Sequence, residues 1–322
     1  MKVLVTGGAG YIGSHACKCL AQAGHDVVVY DNLCTGHREM VKWGHFEHGD
    51  IRDSAALRRV LRRHQPDGLI HFASSIMVGE SVVNPGKYYD NNVFGSLQLM
   101  QALRDEGVRP LVVSGSAAVY GLPERMPIAE DSAKAPINPY GRSKLMMEWM
   151  LEDFATAHGL PWMALRYFNA AGADPDGETG EWHEPETHLI PNVLRAIAGE
   201  IPALSLFGDD YPTADGTCIR DYVHVTDLAA AHVLALQHLL AGRPSGAVNL
   251  GTGHGVSIRE ILNAARTVTG RDVPYSIQPR RAGDPPSLVA SPARAKALLG
   301  WTPAHSDLES IISTAWHWLR RR

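Results

Sequence analysis

Residues 2–13 read Lys2-Val3-Leu4-Val5-Thr6-Gly7-Gly8-Ala9-Gly10-Tyr11-Ile12-Gly13. A short β-branched run breaks into glycines and then into a helical stretch over Ile12–Ala23. Glycines at 7, 10 and 13 permit a tight turn and let a pyrophosphate approach the free N–H groups of a helix N-terminus. Structural turns use glycine too, so the loop alone does not decide the matter. Asp31 does: it ends a second apolar run, Val27–Asp31, 24 residues after Gly7. A carboxylate there accepts hydrogen bonds from an adenosine ribose and repels a 2′-phosphate, which points to NAD rather than NADP.

Outward from this unit, strands are expected at His45–Gly49, Gly68–Ala73, Leu111–Ser116 and Met163–Phe168. Helical periodicity alternates with them over Ser54–His64, Asn92–Glu106 and Tyr140–His158. The fold class is therefore α/β, a Rossmann-type doubly wound parallel sheet followed by a smaller C-terminal α/β substrate domain. Ala173–Glu186, rich in Pro, Gly, Asp and Glu, reads as a long loop leaving the sheet. Residues 1–171 are expected to form the NAD-binding domain and 172–322 the substrate domain. A helix over Asp227–Leu240 and a strand over Ala247–Leu250 let segments around 223–252 complete the first.

The 322 residues are 45% apolar and 20% charged, with 30 Lys+Arg against 34 Asp+Glu and a net charge of −4. That balance excludes a disordered or collagenous chain and carries no electrostatic footprint for nucleic acid or an anionic membrane. Small ligands are the expected partners. No stretch is long and apolar enough to span a bilayer. The apolar run before the first glycines is too short for a signal-peptide core. Cys17, Cys19, Cys34 and Cys218 lack zinc spacing, and a reducing cytoplasm is expected. Sixteen scattered histidines without an HExxH array point to no metal site.

Tyr140-Gly141-Arg142-Ser143-Lys144 puts a phenol and an ammonium four apart on one helix face. Upstream, Ser114-Gly115-Ser116 ends a strand. Together they form a candidate proton-transfer set in which Ser116 orients a hydroxyl and Tyr140 exchanges its proton. The Lys144 ammonium together with an oxidised nicotinamide is expected to bring the phenol down toward working pH.

Over nearly its whole length the chain resembles the extended short-chain dehydrogenase/reductase family, in particular its UDP-hexose 4-epimerases. The resemblance rests on TGGAGYIGSH at 6–15, DNL at 31–33, GDIRD at 49–53, HFA at 71–73, VGES at 78–81, YYDNNV at 88–93, SAAVYG at 116–121, NPYGRSK at 138–144 and RYFNAAG at 166–172. It continues in LIP at 189–191, FGDDYPTADGTCIRDYVHVTDLA at 207–229 and RRAGD at 280–284. It implies NAD-dependent interconversion of UDP-galactose and UDP-glucose at C4 through a 4-keto intermediate, with Tyr140, Lys144 and Ser116 as catalytic residues.

The implied NAD site comprises Gly7, Gly10, Tyr11, Ile12, Gly13, Asp31, Asn32, Asp50, Ile51, Phe72, Ala73, Asn91, Tyr140, Lys144 and Phe168, with Asp50 near the adenine amine. The implied UDP-sugar site comprises Ser116, Tyr140, Asn169, His188, Leu189, Phe207, Arg220, Tyr222, Arg281 and Asp284. There the arginines suit a pyrophosphate and Asp284 a ribose hydroxyl. The family also implies a homodimer paired through Asn92–Glu106 and Tyr140–His158.

This chain departs from the family pattern in four places. Ile76 stands where a lysine is usual, Ala118 replaces a common threonine, His188 replaces an asparagine that meets substrate, and Leu288 lies where residue size gates N-acetylated sugars. Three other readings remain open. One is a 4-epimerase of UDP-pentoses or UDP-N-acetylhexosamines. Another is a nucleotide-sugar 4,6-dehydratase, disfavoured because Ala117 and Ala118 replace that enzyme's acidic pair. The third is a non-catalytic NAD-binding sensor, for which a retained proton-transfer set has no use.

Overall fold

A computed structural model describes residues 1–281 and 283–322. Ala282, within the RRAGD stretch, lies outside the described residues. The strands are β1 (Lys2–Thr6), β2 (Asp26–Asp31), β3 (His45–His48), β4 (Gly68–His71), β5 (Leu111–Ser116), β6 (Trp162–Tyr167), β7 (Asn169–Ala171), β8 (Leu204–Phe207), β9 (Ile219–Arg220), β10 (Tyr222–His224), β11 (Gly246–Leu250), β12 (Val256–Ser257), β13 (Tyr275–Gln278) and β14 (Ser287–Leu288). The helices are α1 (Tyr11–Gln22), α2 (Ser54–His64), α3 (Val78–Val83), α4 (Pro85–Tyr88), α5 (Ser96–Glu106), α6 (Pro139–His158), α7 (Leu189–Ala198), α8 (Val225–Leu240), α9 (Ile258–Thr269), α10 (Ala293–Leu299) and α11 (Leu308–Leu319). None of these helices is long and apolar enough to cross a membrane.

Seven strands form one parallel sheet in the order β3-β2-β1-β4-β5-β6-β11. Chain order reverses between β1 and β4, which opens a crevice beyond their carboxyl ends, the position where doubly wound sheets bind ligands. Alternation along each strand supplies both faces. Val3 and Val5 pack with Leu20, Leu228 and Leu236 on the side of α1 and α8. Leu4 and Val28 pack with Leu57, Leu99, Leu103, Met147 and Leu151 on the side of α2, α5 and α6. The strand over Ala247–Leu250 does return to the sheet, beside β6.

A second core, including Ile190, Leu194, Leu206, Ile261 and Ile312, joins α7, α9 and α11 to β8. Small pairings surround it: β7 with β10, β8 with β13, and β9 with β12 and β14.

Local chemistry sets the helix bounds near the active elements. Asn138 caps α6 by accepting from Gly141 N at 2.8 Å, Pro139 occupies the first turn, and Gly159 closes the helix at φ +62°. The helix expected over Asn92–Glu106 differs from the one found: a π-helical segment, Tyr89–Gly95, precedes α5. Asn92 explains the widening. Its amide is tied to both backbone groups of Ser75 at 2.8 and 3.0 Å and to Ser143 Oγ at 3.1 Å, contacts that compete with a regular helical turn.

Candidate active site

The turn between β1 and α1 is built for close approach. A Cβ at Gly7, which sits at φ +75°, would fall 2.5 Å from Ala73 N; one at Gly13 would fall 2.1 Å from Gly7 O. Gly10 is the N-cap of α1 and brings no side-chain acceptor, so the first amides stay open for an anion. Beneath the turn, Thr6 Oγ1 meets His71 Nδ1 at 2.7 Å across the β1–β4 switch point. Burial lowers His71 to about 3 and keeps its imidazole neutral.

Asp31 ends β2 and accepts from Ala9 N at 3.0 Å and Leu33 N at 2.8 Å. Burial raises this carboxylate while the two amides work the other way. Asp31 therefore holds the glycine turn as well as standing at the ribose position. Asn32 donates to Asp50 at 2.8 Å, and Arg52 forms an ion pair with Asp50. Ile51 is buried beneath Gly95. Asn91 donates to Asn92 Oδ1 at 3.0 Å and to Ala73 O at 3.4 Å. Phe72 packs on His232 with ring centroids 4.6 Å apart, and Ile12 and Phe168 are half-buried. These groups gather along the carboxyl edge of the sheet, and the open amides, glycine cradle and acidic strand end together fit a dinucleotide.

Ser116 ends β5, while Tyr140 and Lys144 lie one turn apart at the start of α6. Burial pushes the Tyr140 phenol above its ordinary value, and its hydrogen bond with the Ser116 hydroxyl opposes that. Lys144 is only 2% exposed. Its Nζ donates to Ser74 Oγ and Ser114 O, both at 2.9 Å, and to Ser114 Oγ at 3.2 Å. Burial brings the ammonium down to about 7, with the Glu148 carboxylate working against it.

The Lys144 ammonium lies 6.0 Å from the phenol ring centre with its donors on serines, and Ser116 opposes the rise that burial imposes on the phenol.

Below this set runs a buried network that the sequence reading missed. Glu148, one turn beyond Lys144, receives two bonds from Arg166 on β6: Nε to Oε1 at 2.8 Å and Nη2 to Oε2 at 2.6 Å. Arg166 Nη1 also donates to Tyr120 OH at 2.7 Å, and Tyr120 OH donates to Asn249 Oδ1 at 2.7 Å. The Lys144/Glu148 spacing was the available signal. Its partner on a distant strand had none.

On the substrate side, Arg220 on β9 forms an ion pair with Asp284, so the two answer each other here. Asn169 on β7 stands opposite Tyr222 on β10 and donates to Asp221 O at 2.9 Å. The Arg281 guanidinium lies 4.0 Å over the Phe207 ring. Leu288 pairs in register with Arg220 and packs against the small cluster of Val119, Tyr120, Ile128 and Leu145, as do Ala117 and Phe168.

The structure ties His188 and Leu189, both implied on the substrate side, to groups of the protein itself. His188 Nδ1 turns to Glu181 at 2.6 Å and Glu186 at 3.2 Å, and Leu189 joins the second core. The loop carrying them docks on one face of α1. Tyr11 OH donates to Gly172 O at 2.6 Å, and Ser14 Oγ meets Thr179 Oγ1 at 2.6 Å. Lys18 Nζ binds Asp174 at 2.8 Å, and Asp176 and Glu178 at 2.7 Å each. Tyr11, expected to line the cofactor, thus also tethers this loop.

The sequence profile of the NAD dependent epimerase/dehydratase family matches residues 3–251. The chain is 52% identical over 319 residues to a UDP-glucose 4-epimerase of Lacticaseibacillus casei, covering 99% of this chain and 96% of that protein. It superposes with a TM-score of 0.97 on the crystal structure of UDP-glucose 4-epimerase from Brucella ovis in complex with NAD, at 56% identity and 98% coverage of each chain. The TM-score is also 0.97 against a UDP-glucose 4-epimerase from Stenotrophomonas maltophila with bound NAD and formylated UDP-arabinopyranose, at 44% identity, covering 100% of this chain and 98% of that one.

Proposed function

The chain belongs to the NAD dependent epimerase/dehydratase family, and from that premise we propose that it interconverts UDP-galactose and UDP-glucose by epimerisation at C4. The observation that carries this reading is Ser116 at the carboxyl end of β5 with Tyr140 and Lys144 at the start of α6, and no acid beside them at Ala117 or Ala118. NAD, held by the glycine turn and Asp31, would supply the redox chemistry at the sugar C4, with a 4-keto sugar that presents its opposite face between the two epimers.

Tyr140 exchanges the proton of the C4 hydroxyl, and Ser116 holds the phenol and the sugar oxygen in line. Lys144, fixed by Ser74 and Ser114, keeps the floor of the site in one arrangement. Arg220 and Arg281 meet the UDP pyrophosphate, and Asp284 exchanges Arg220 for a ribose hydroxyl. This division assigns NAD to residues 1–171 with segments around 223–252, and the UDP-sugar to 172–322. The exposed aromatic rings of Phe94, before α5, and Trp149, on α6, favour a homodimer paired through these helices. Four free cysteines suit a reducing, cytoplasmic setting.

Incubation of the purified protein with UDP-galactose, without added nicotinamide cofactor, tests the proposal by NMR of the sugar nucleotide. UDP-glucose at a fixed final ratio is the expected product. A 4-keto-6-deoxy sugar would assign dehydration instead, and an unchanged spectrum after NAD addition would remove UDP-galactose as substrate.

A further inference from the structure

Three groups of acidic and histidine side chains converge among the described residues. In two of them a permanent cation already sits on the carboxylates: Lys18 serves Asp174, Asp176 and Glu178, and Arg63 serves Glu47 beside His45 and His64. The third, Glu181, His183, Glu186 and His188, has no lysine or arginine partner among the described residues.

Its geometry is that of a ligand set. His183 Nδ1 lies 3.3 Å from Glu181 Oε1 and 3.5 Å from Glu186 Oε2, while His188 Nδ1 lies 3.2 Å from Glu186 Oε1 and 2.6 Å from Glu181 Oε1. Tetrahedral zinc with nitrogen and oxygen bonds of about 2.0–2.2 Å requires ligand–ligand edges of about 3.3–3.5 Å. With one oxygen taken from each carboxylate, two of the spacings, 3.3 and 3.2 Å, fall on or close to that edge.

These contacts are at ion-pair distance but fall outside regular hydrogen-bond geometry. Glu181, 8% exposed, leaves Oε1 without a hydrogen-bond partner, and buried His183 Nδ1 is likewise unpartnered. A buried carboxylate oxygen in such a position is stabilised by a positive charge, which either the protonated imidazoles beside it or a metal ion among them supplies. The supporting contacts are also in place. Glu186 Oε1 accepts from Thr187 N at 2.7 Å and His188 N at 2.8 Å, and Trp318 Nε1 donates to the Glu181 carbonyl at 2.9 Å. A cavity of about 400 Å³ bordered by Glu181, His183 and Glu186 gives an entry path.

We propose that Glu181, His183, Glu186 and His188 bind one divalent transition-metal ion of the zinc class, which cross-links the loop between β7 and α7 above the start of α1. Two imidazole nitrogens in four donors exclude the hard, all-oxygen preference of Ca²⁺ and Mg²⁺. The pattern Glu-x-His-x-x-Glu-x-His lies on an irregular loop, so no helical HExxH spacing announces it.

The test is metal binding by the intact protein, read independently of sugar turnover. Chelator-stripped protein is titrated with Zn²⁺ against a chromophoric competitor, and with Co²⁺ by visible absorption. About one equivalent of Zn²⁺ and the intense bands of tetrahedral Co²⁺ are expected. The double variant E181Q/H183Q should bind at least about a hundredfold more weakly. Uptake below about a tenth of an equivalent by folded wild-type protein would overturn the proposal. So would undiminished binding by the variant, which would place the ion elsewhere. Should the variant not fold, the wild-type Co²⁺ spectrum decides: octahedral bands alone refute the four-residue site.

Discussion

Replacing Glu148 by alanine strips the floor of the active site of a buried counter-charge. Glu148 and Arg166 are each 2% exposed, and the carboxylate takes two of the guanidinium's bonds, at 2.8 and 2.6 Å. After the substitution, the bond to Tyr120 OH at 2.7 Å is the short contact that remains to Arg166, whose charge cannot be shed. Breaking a buried pair in this way costs about 3–5 kcal/mol, because the surviving charge stays desolvated. Urea denaturation of wild type and Glu148→Ala, followed by far-ultraviolet circular dichroism, measures the loss.

The double variant Glu148→Leu with Arg166→Met should recover most of that loss, since removing both charges removes the penalty. A loss below about 1 kcal/mol in Glu148→Ala would refute the reasoning, for it would mean that water reaches the guanidinium. The same variant reports on the site. The Glu148 carboxylate works against burial at Lys144, so its removal lowers that lysine further and shrinks the fraction charged at neutral pH.

Tyr140→Phe should retain NAD but lower turnover by at least about a hundredfold, the scale of a lost acid–base group; near-normal kcat would take Tyr140 out of the mechanism. Asp31→Ala frees the amides of Ala9 and Leu33 and removes the ribose acceptor. Cofactor released on denaturation, quantified by chromatography, should fall, and unchanged content would undo the assignment. Lys144 also gives a signed pH dependence. Its folded value near 7 lies below that of an unfolded lysine near 10.4, so between these limits the unfolded chain binds more protons and stability rises with pH. Below pH 7 the burial penalty is fully present. The stability of wild type relative to Lys144→Met should therefore increase by about 2–3 kcal/mol from pH 7 to 9, and a pH-independent difference would contradict a buried, depressed lysine.

The departures from the sequence reading share a form. Residues 92–95 opened the helix expected over Asn92–Glu106, yet they lie in a π-helical segment because Asn92 bonds Ser75 and Ser143. His188 matched a substrate position in the motif, yet its ring turned to two carboxylates of its own loop. Lys144 was placed by its spacing from Tyr140, yet its donors went to serines at 74 and 114. In each case a partner from another segment outcompeted the local pattern.

By itself the sequence determined the α/β alternation, the glycine turn followed by Asp31, and the placement of Tyr140 and Lys144 on one helix face. These follow from contacts a few residues apart, which periodicity and backbone preference encode directly. Only the tertiary structure decided that Arg166 neutralises Glu148, that Lys18 gathers three carboxylates of a distant loop, and that Glu181, His183, Glu186 and His188 face one another. Such pairings depend on how an irregular loop closes and which charges are buried together. Burial is a property of the packed whole, so it sets their protonation and partners where no local spacing can.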